Sequence, residues 1–195
     1  MLFRSGEAAA AIRTKGAERV SVAEVMAAAG LTHGGFYAHF ESKDALIAQA
    51  ITHMFDAAYN DPFLRLTEGR EPAEAIASYV DSYLSPLHRL ERANGCPIPT
   101  LSGDLPNLSD HARQRFTDGT ERVVAGLAKL AKKLGAKDAE ALAWSAIAEM
   151  AGALALSRTV SDERAEAILR NSRAIVKERF GVGHQRKVAR RLTGH

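Results

Sequence analysis

Apolar residues recur along most of the chain at spacings of three and four positions, which is the period of an amphipathic α-helix. The pattern predicts about nine helices, and no alternating run of β-branched or aromatic residues predicts a strand. The predicted helices cover 2–15, 21–29, 32–40, one capped by Ser42, one from about Pro72, then 98–105, 109–134, 138–159 and 161–180. The sequence therefore predicts an all-α fold.

Capping residues indicate where several of these helices begin and end. Ser21 and Glu24 have the spacing of a capping box, in which each side chain satisfies the other residue's backbone amide. Ser42 is a good N-cap residue, and Gly16 is placed to end the first helix in a left-handed conformation. The segments 60–62 and 67–72 are predicted to be turns that separate helices.

The two last helices are unusually apolar. The stretch 141–157 has Glu149 as its one charged residue, so most of its circumference is expected to be buried. Apolar stripes are also expected to include Leu87 and Leu134. Small residues at Ala148, Gly152 and Ala155, with Leu154 and Ile168 adding area, favour a homodimer formed through about 138–180. The alternative is that this face is buried inside one chain.

The composition is that of an ordinary globular protein, and its basic character is local. The 195 residues are 46% hydrophobic with a net charge of +3, but segment 181–195 carries four basic residues and no acidic one. The remaining 180 residues carry 22 basic and 23 acidic groups, and residues 1–50 carry five of each. The overall charge is therefore no argument for nucleic-acid binding. We expect 181–195 to be a solvated basic tail, and the alternative is that it adds a phosphate contact.

Two short helices at 21–29 and 32–40, joined by Gly30 and Leu31, have the pattern of a helix-turn-helix. The second helix would place polar or small residues on its outer face and Phe36 and Phe40 on its inner face. The outer positions are Thr32, His33, Gly34, Gly35, Tyr37 and His39. A helix that enters a DNA major groove needs this division, although a helix-turn-helix that only packs other helices would look similar.

The segments 21–31 and 32–46 resemble the signature of TetR-family transcriptional regulators, and 83–86 with 95–97 resembles one branch of that family. The resemblance implies an all-α homodimer that binds palindromic operator DNA, usually as a repressor, until a small-molecule effector lowers its DNA affinity. It divides the chain into a three-helix DNA-binding domain (1–46), a ligand-binding and dimerisation domain (47–180) and the basic tail. Paired recognition helices would lie about one DNA turn apart, roughly 34–36 Å.

The resemblance also implies roles for individual residues of the helix-turn-helix. Thr32, His33, Gly34 and Gly35 occupy the positions that read the DNA groove. Tyr37, His39 and Lys43 occupy positions that contact backbone phosphates, and Lys43 opens a helix, where both the ammonium and the helix terminus attract an anion.

Candidate effector contacts are the aromatic residues Tyr59, Tyr79, Tyr83, Phe116 and Trp144, although aromatics at helical spacing are more often core residues. Cys96 is the one cysteine. It would sense oxidants or electrophiles if it were exposed and its thiolate were favoured, and otherwise it is a small packed residue.

The sequence contains no catalytic motif that we recognise. No histidine pair has the His-Glu-x-x-His spacing of a zinc hydrolase, and no phosphate-binding loop is present, so neither a metal nor a cofactor is predicted. No signal peptide or membrane span is predicted, and a cytoplasmic protein with no membrane partner is expected. The rival hypothesis is an all-helical ligand-binding or enzymatic protein whose helix-turn-helix is purely structural.

Overall fold

The computed structural model describes the backbone of residues 2–28, 36–37 and 39–183, and their side chains apart from 2–5, 28 and 60–62. All regular elements within this part of the chain are helical, which confirms the predicted fold class. The α-helices are α1 (Leu2–Lys15), α2 (Val22–Ala28), α3 (Lys43–Phe55), α4 (Asp61–Thr67), α5 (Pro72–Tyr83), α6 (Pro86–Leu90), α7 (Ile98–Leu101), α8 (Asp110–Lys133), α9 (Ala139–Ser157) and α10 (Asp162–Arg179).

The chain divides into two compact units that are interleaved along the sequence. The first unit contains Met1–Pro62 and Glu91–Arg122, and the second contains Phe63–Leu90 and Val123–His195. The first therefore includes α1 to α3, α7 and the first half of α8. The second includes α5, α6, α9, α10 and the second half of α8.

In the first unit, α1 packs against α2 and α3, and the predicted caps are present. Gly16 ends α1 with a φ of 88°, a conformation that glycine adopts without strain. The Ser21 amide donates to Glu24 Oε2 at 3.0 Å, and the Glu24 amide donates to Ser21 Oγ at 3.1 Å, which confirms the capping box. Hydrogen bonds from Lys15 and Ser21 lower the pKa of Glu24 to about 2. The side chain of Ser42 caps α3 by accepting from the Ala45 amide.

The turn predicted at 60–62 is wrong. The chain leaves α3 through a π-helical segment, Asp56–Asn60, and continues directly into α4. Pro62 is the second residue of α4, and an amide in the first turn has no partner inside the helix. A proline there is therefore compatible with helix, and it signals a helix start rather than a break.

In the second unit, α10 packs against α9 and α5. The chain changes direction near Pro86, because α5 ends at Tyr83 and Pro86 begins α6. This change of direction takes Leu87 out of the α5 stripe and leaves it exposed, contrary to prediction. Leu134 lies beyond the end of α8, next to Gly135 with a φ of 85°, and it is also exposed rather than buried.

Although most of the circumference of α9 was expected to be buried, the single chain leaves one whole side of it open. One side of the helix is exposed, and we call it the open face of α9; its residues are Glu140, Ala141, Trp144, Ser145, Ala148, Gly152 and Leu156. Trp144 is 41% exposed and Leu156 is 60% exposed. In the described part of the chain, α9 is the one helix long and apolar enough to cross a membrane by length and composition, a test that core helices also pass.

Candidate nucleic-acid interface

The end of the predicted recognition helix is a helical turn with two different sides. The amides of His39 and Phe40 both donate to the Phe36 carbonyl, at 2.9 and 3.0 Å. The rings of Phe36 and Phe40 are buried and stacked with centroids 5.5 Å apart. Tyr37 and His39 are exposed, and Tyr37 contacts the edge of Phe36 with 70% of its surface open to solvent. The buried rings thus support a polar outer side.

Lys43 lies at the first position of α3, next to the N-cap residue Ser42. Its Nζ donates to the carbonyl of Glu18, in the loop between α1 and α2, at 3.0 Å. The side chain is half-buried, so its direction is partly set by this loop. An ammonium group has three donors, and one bond to Glu18 leaves two for an anion in front of α3.

The predicted base-reading residues Thr32, His33, Gly34 and Gly35 lie outside the described residues. Their roles stay predictions, as do those of Tyr37, His39 and Lys43. The structure does show that Tyr37 and His39 lie on an exposed surface, one turn before the start of α3.

The predicted effector contacts are divided between the two units. Tyr59, Cys96 and Phe116 belong to the first unit, and Tyr79, Tyr83 and Trp144 belong to the second. Tyr79 and Tyr83 are buried with their ring centroids 6.0 Å apart, and Phe63 packs edge-on to Tyr79 at 5.3 Å. Trp144 is instead on the open face of α9. Their role as effector contacts stays a prediction.

Two cavities of the described chain are lined by other residues. The larger, about 490 Å³, lies in the first unit, and its lining is His39, Phe40, Glu41, Ala45, Gln49, Thr52, His111 and Arg115. The smaller, about 310 Å³, lies in the second unit near Leu134 and Phe180. Among the described residues no group of three or more His, Cys, Asp or Glu side chains could hold a metal ion.

Burial changes the electrostatics of two residues of the first unit. Burial raises the pKa of Tyr59 to about 12, and the positive charge of Arg122 opposes this rise. Burial lowers the pKa of Arg13 to about 10, and Cys96 acts in the opposite direction. The one signal of the burial of Arg13 in the sequence is its position four residues after Ala9, which places a charged residue on the buried side of α1.

Comparison with protein families assigns both parts of the chain. Residues 7–50 match the family described as bacterial regulatory proteins, tetR family. Residues 72–171, more than half of the chain, match the C-terminal domain described as transcriptional regulator LmrA/YxaF-like. The chain belongs to the TetR family. The TetR-like N-terminal match covers α1 to the middle of α3, and thus includes the turn with Phe36 and Phe40.

Solved structures of TetR-family proteins share the fold of this chain. The reduced form of NemR from E. coli is 21% identical, covers 90% of this chain and 95% of its own, and superposes with a TM-score of 0.78. A TetR regulator from Chloroflexus aurantiacus is 23% identical with a TM-score of 0.76, and each chain is covered to 90%. A TetR-family regulator from Cytophaga hutchinsonii is 20% identical with a TM-score of 0.77 and 92% coverage of both chains. No curated protein matches the sequence.

Membership of the TetR family makes the protein a DNA-binding transcriptional regulator with a helix-turn-helix, and not an enzyme. The rival hypothesis of a purely structural helix-turn-helix is therefore wrong.

Proposed function

We propose that this TetR-family regulator is a repressor that binds a palindromic operator as a homodimer and is released by a small-molecule effector. The observation that best supports DNA binding through this surface is the turn at 36–40. Its buried Phe36 and Phe40 hold Tyr37 and His39 outwards, ahead of Lys43 at the start of α3. A cytoplasmic location, where operator DNA is accessible, follows from this role.

The homodimer is supported by the open face of α9. Six of its seven residues are uncharged, with Glu140 in the first turn as the exception, and four of them are Ala, Gly or Ser. Small residues allow two helix backbones to approach closely, while Trp144 and Leu156 offer apolar area that water would otherwise cover. Ile175 on α10, which packs against α9, is a further exposed apolar residue, at 43%. A second copy of the same face, which is uncharged beyond its first turn, would fit it in a symmetric, self-complementary interface.

The division of labour at the DNA follows the family's motif. We assign base reading to Thr32, His33, Gly34 and Gly35, and phosphate contacts to Tyr37, His39 and Lys43. Phosphate contacts position a protein on the duplex without reading its sequence, whereas base contacts in the major groove discriminate between sequences.

The effector is proposed to contact some of the aromatic residues that the sequence singled out. In the second unit, the buried and neighbouring Tyr79 and Tyr83 each have an apolar ring with a polar hydroxyl end. An aromatic ligand with hydroxyl groups would suit these two side chains. An effector that favours one conformation of the dimer would shift the population away from the DNA-bound form.

Selection of bound sequences from a random DNA pool tests the proposed function. The full chain is incubated with the pool, and the recovered sequences are aligned. An inverted repeat with half-sites about one turn apart is expected, because a two-fold symmetric dimer presents two identical recognition helices. Recovery of a single, non-repeated motif would contradict the homodimer, and recovery of no motif would contradict sequence-specific binding.

The selected operator then allows a test of Lys43. Lys43→Ala is expected to weaken binding to all sequences alike and to lower the slope of log K against log salt by about one per protomer, because one counterion-releasing contact is lost. Lys129, exposed on α8, provides the matched control variant Lys129→Ala. An unchanged slope for Lys43→Ala, measured by fluorescence anisotropy across salt concentrations, would exclude its phosphate contact.

A further inference from the structure

The larger cavity, of about 490 Å³, is a cleft between the first halves of α3 and α8. On α3, the lining residues Ala45, Gln49 and Thr52 follow one another at spacings of four and three positions. On α8, His111 and Arg115 are four positions apart. Residues at these spacings share one side of a helix, so one face of each helix lines the cleft.

The two helices are in close contact next to the cleft. Phe55, three residues after Thr52, packs edge-on to Phe116 with ring centroids 5.5 Å apart. Phe116 directly follows Arg115 in the chain, and the backbone of Gly119 lies against the same Phe55 ring. Packed apolar side chains therefore close the cleft on this side and fix the distance between its two walls.

The cleft also reaches the turn that carries the proposed phosphate contacts. His39, Phe40 and Glu41 are part of its lining. The ring of Phe40 is buried and stacked on Phe36, whereas His39 is exposed. A molecule in the cleft would therefore contact the turn at 36–40 from within the first unit.

Arg115 gives the cleft a permanent positive charge. Its Nε donates to Nε2 of His111 at 3.4 Å. Arginine has no acceptor, so Nε2 is the acceptor in this bond, and the hydrogen of a neutral ring lies on Nδ1. Among the described residues, the ion pair of Arg115 is with Asp118, at 4.0 Å and between half-exposed side chains. A pair of this kind contributes little, so the guanidinium keeps donors for an anionic ligand.

The remaining lining residues favour a ligand with one negative charge and an apolar part. A guanidinium binds a carboxylate or a phosphate through paired N–H groups. Glu41 brings a carboxylate to the same cleft, and it repels a second negative charge, which disfavours a dianionic phosphate. Gln49 and Thr52 offer polar groups, and Phe40 and Ala45 offer apolar surface. Cavities of about 300–1,000 Å³ are typical of sites for small organic molecules.

We propose that the cleft between α3 and α8 binds a small organic molecule with an apolar body and a single carboxylate group. Arg115 and His111 bind the carboxylate, and the apolar body lies between the two helices. This site is separate from the effector contacts assigned to Tyr79 and Tyr83, which belong to the second unit.

A ligand in the cleft is expected to weaken operator binding, and this consequence alone rests on the proposed function. The ligand would bring a negative charge close to His39, which is assigned to a DNA phosphate. Two negative groups near the same side chain repel each other, so ligand and DNA oppose each other's binding. By linkage, operator DNA weakens ligand binding by the same factor.

Isothermal titration calorimetry tests the site without DNA. The probe is cinnamate, which has one carboxylate on an apolar body, and cinnamamide is its neutral counterpart. The full chain should bind cinnamate at one site per protomer and cinnamamide at least about tenfold more weakly, because a hydrogen bond between charged groups is lost. Arg115→Gln should weaken cinnamate binding by a similar factor. Lys129→Gln, at an exposed position of α8 outside the cleft, is the matched control and should not.

A second variant locates the ligand. Ala45→Trp would fill the cleft and should abolish cinnamate binding, and circular dichroism checks the fold of each variant. If Ala45→Trp does not fold, Arg115→Gln decides, because Arg115 is exposed. Cinnamate binding that Arg115→Gln leaves unchanged would overturn the site. Equal affinities for cinnamate and cinnamamide would overturn the role of the carboxylate, and no binding at millimolar cinnamate would overturn the whole proposal.

The regulatory consequence is measured separately on the selected operator by fluorescence anisotropy. Cinnamate at a concentration that saturates the wild type should lower its operator affinity by at least about fivefold, and that of Arg115→Gln by less. An unchanged operator affinity would refute the coupling but not the site. If the protein without cinnamate binds no operator, the proposed function fails instead, and calorimetry still decides whether the cleft binds the probe.

Discussion

Two glycines, Gly119 in α8 and Gly152 in α9, lie inside long helices, where glycine is less favourable than alanine by about 1 kcal/mol. Their surroundings differ completely. A Cβ atom at Gly119 would come within 2.3 to 2.6 Å of three ring atoms of Phe55. A Cβ atom at Gly152 would meet nothing within 4 Å. The first glycine is explained by packing within one chain, and the second is not.

This difference separates two reasons for a helical glycine. At Gly119 the ring of Phe55, which also packs edge-on to Phe116 at 5.5 Å, lies directly on the α8 backbone. Just beyond it, Arg122 pairs with Asp56 at 2.9 Å, so the same part of α8 contacts the point where α3 becomes π-helical. At Gly152 the open face of α9 suggests that the missing contact is made by a second chain.

The largest effect is expected from Gly152→Arg. A long charged side chain would block close approach of two α9 helices, so the dimer should dissociate and operator affinity should fall about 100-fold or more as bivalent binding is lost. The isolated chain should keep its fold, because the new side chain enters open space and glycine is replaced by a better helix former. Sedimentation velocity and operator titration measure both results.

Ala125→Arg is the matched control for this change, since Ala125 is exposed on α8 and lies outside the open face of α9. Ala125→Arg should leave both the sedimentation behaviour of the dimer and its affinity for the operator unchanged. A Gly152→Arg protein that remains dimeric would place the interface elsewhere and remove the proposed reason for Gly152.

A smaller effect is expected from Gly119→Ala. The added methyl group would press on the Phe55 ring, and overpacking of this kind costs roughly 1–3 kcal/mol of unfolding free energy. Urea denaturation of the wild type and the variant measures the loss. In a Phe55→Leu background, Gly119→Ala should lower the unfolding free energy by less than it does in the wild type, because the smaller side chain makes room. Strictly additive changes would show that the two residues are not coupled.

The smallest effect is a spectral one. Trp144 is the one tryptophan of the chain and lies on the open face of α9, where it is 41% exposed in the single chain. Covering the indole in a dimer should shift its fluorescence emission to shorter wavelength, whereas Gly152→Arg should emit at longer wavelength. Identical spectra for the two proteins would show that Trp144 lies outside the interface.

Much of the local structure was predictable because it depends on residues close together in the chain. The capping box of Ser21 and Glu24 and the left-handed Gly16 follow from short-range geometry, and both are present. The spacing of Phe36 and Phe40 likewise predicted that both rings are buried together. The turn predicted at 60–62 is wrong because the fixed φ and the missing N–H of proline suit the first turn of a helix as well as they suit a turn.

The amino-acid sequence by itself determined that the protein is all-helical, where most helices begin and end, and which family motif it carries, since periodicity, caps and motifs are properties of neighbouring residues. Only the tertiary structure decided which side of α9 is left open, why Gly119 must be a glycine, and that Arg13 meets the carbonyl of Ala93, 80 residues away. These contacts depend on how distant helices approach each other. The type and spacing of neighbouring residues do not specify which distant residue a side chain meets, because one local pattern is compatible with many arrangements of helices.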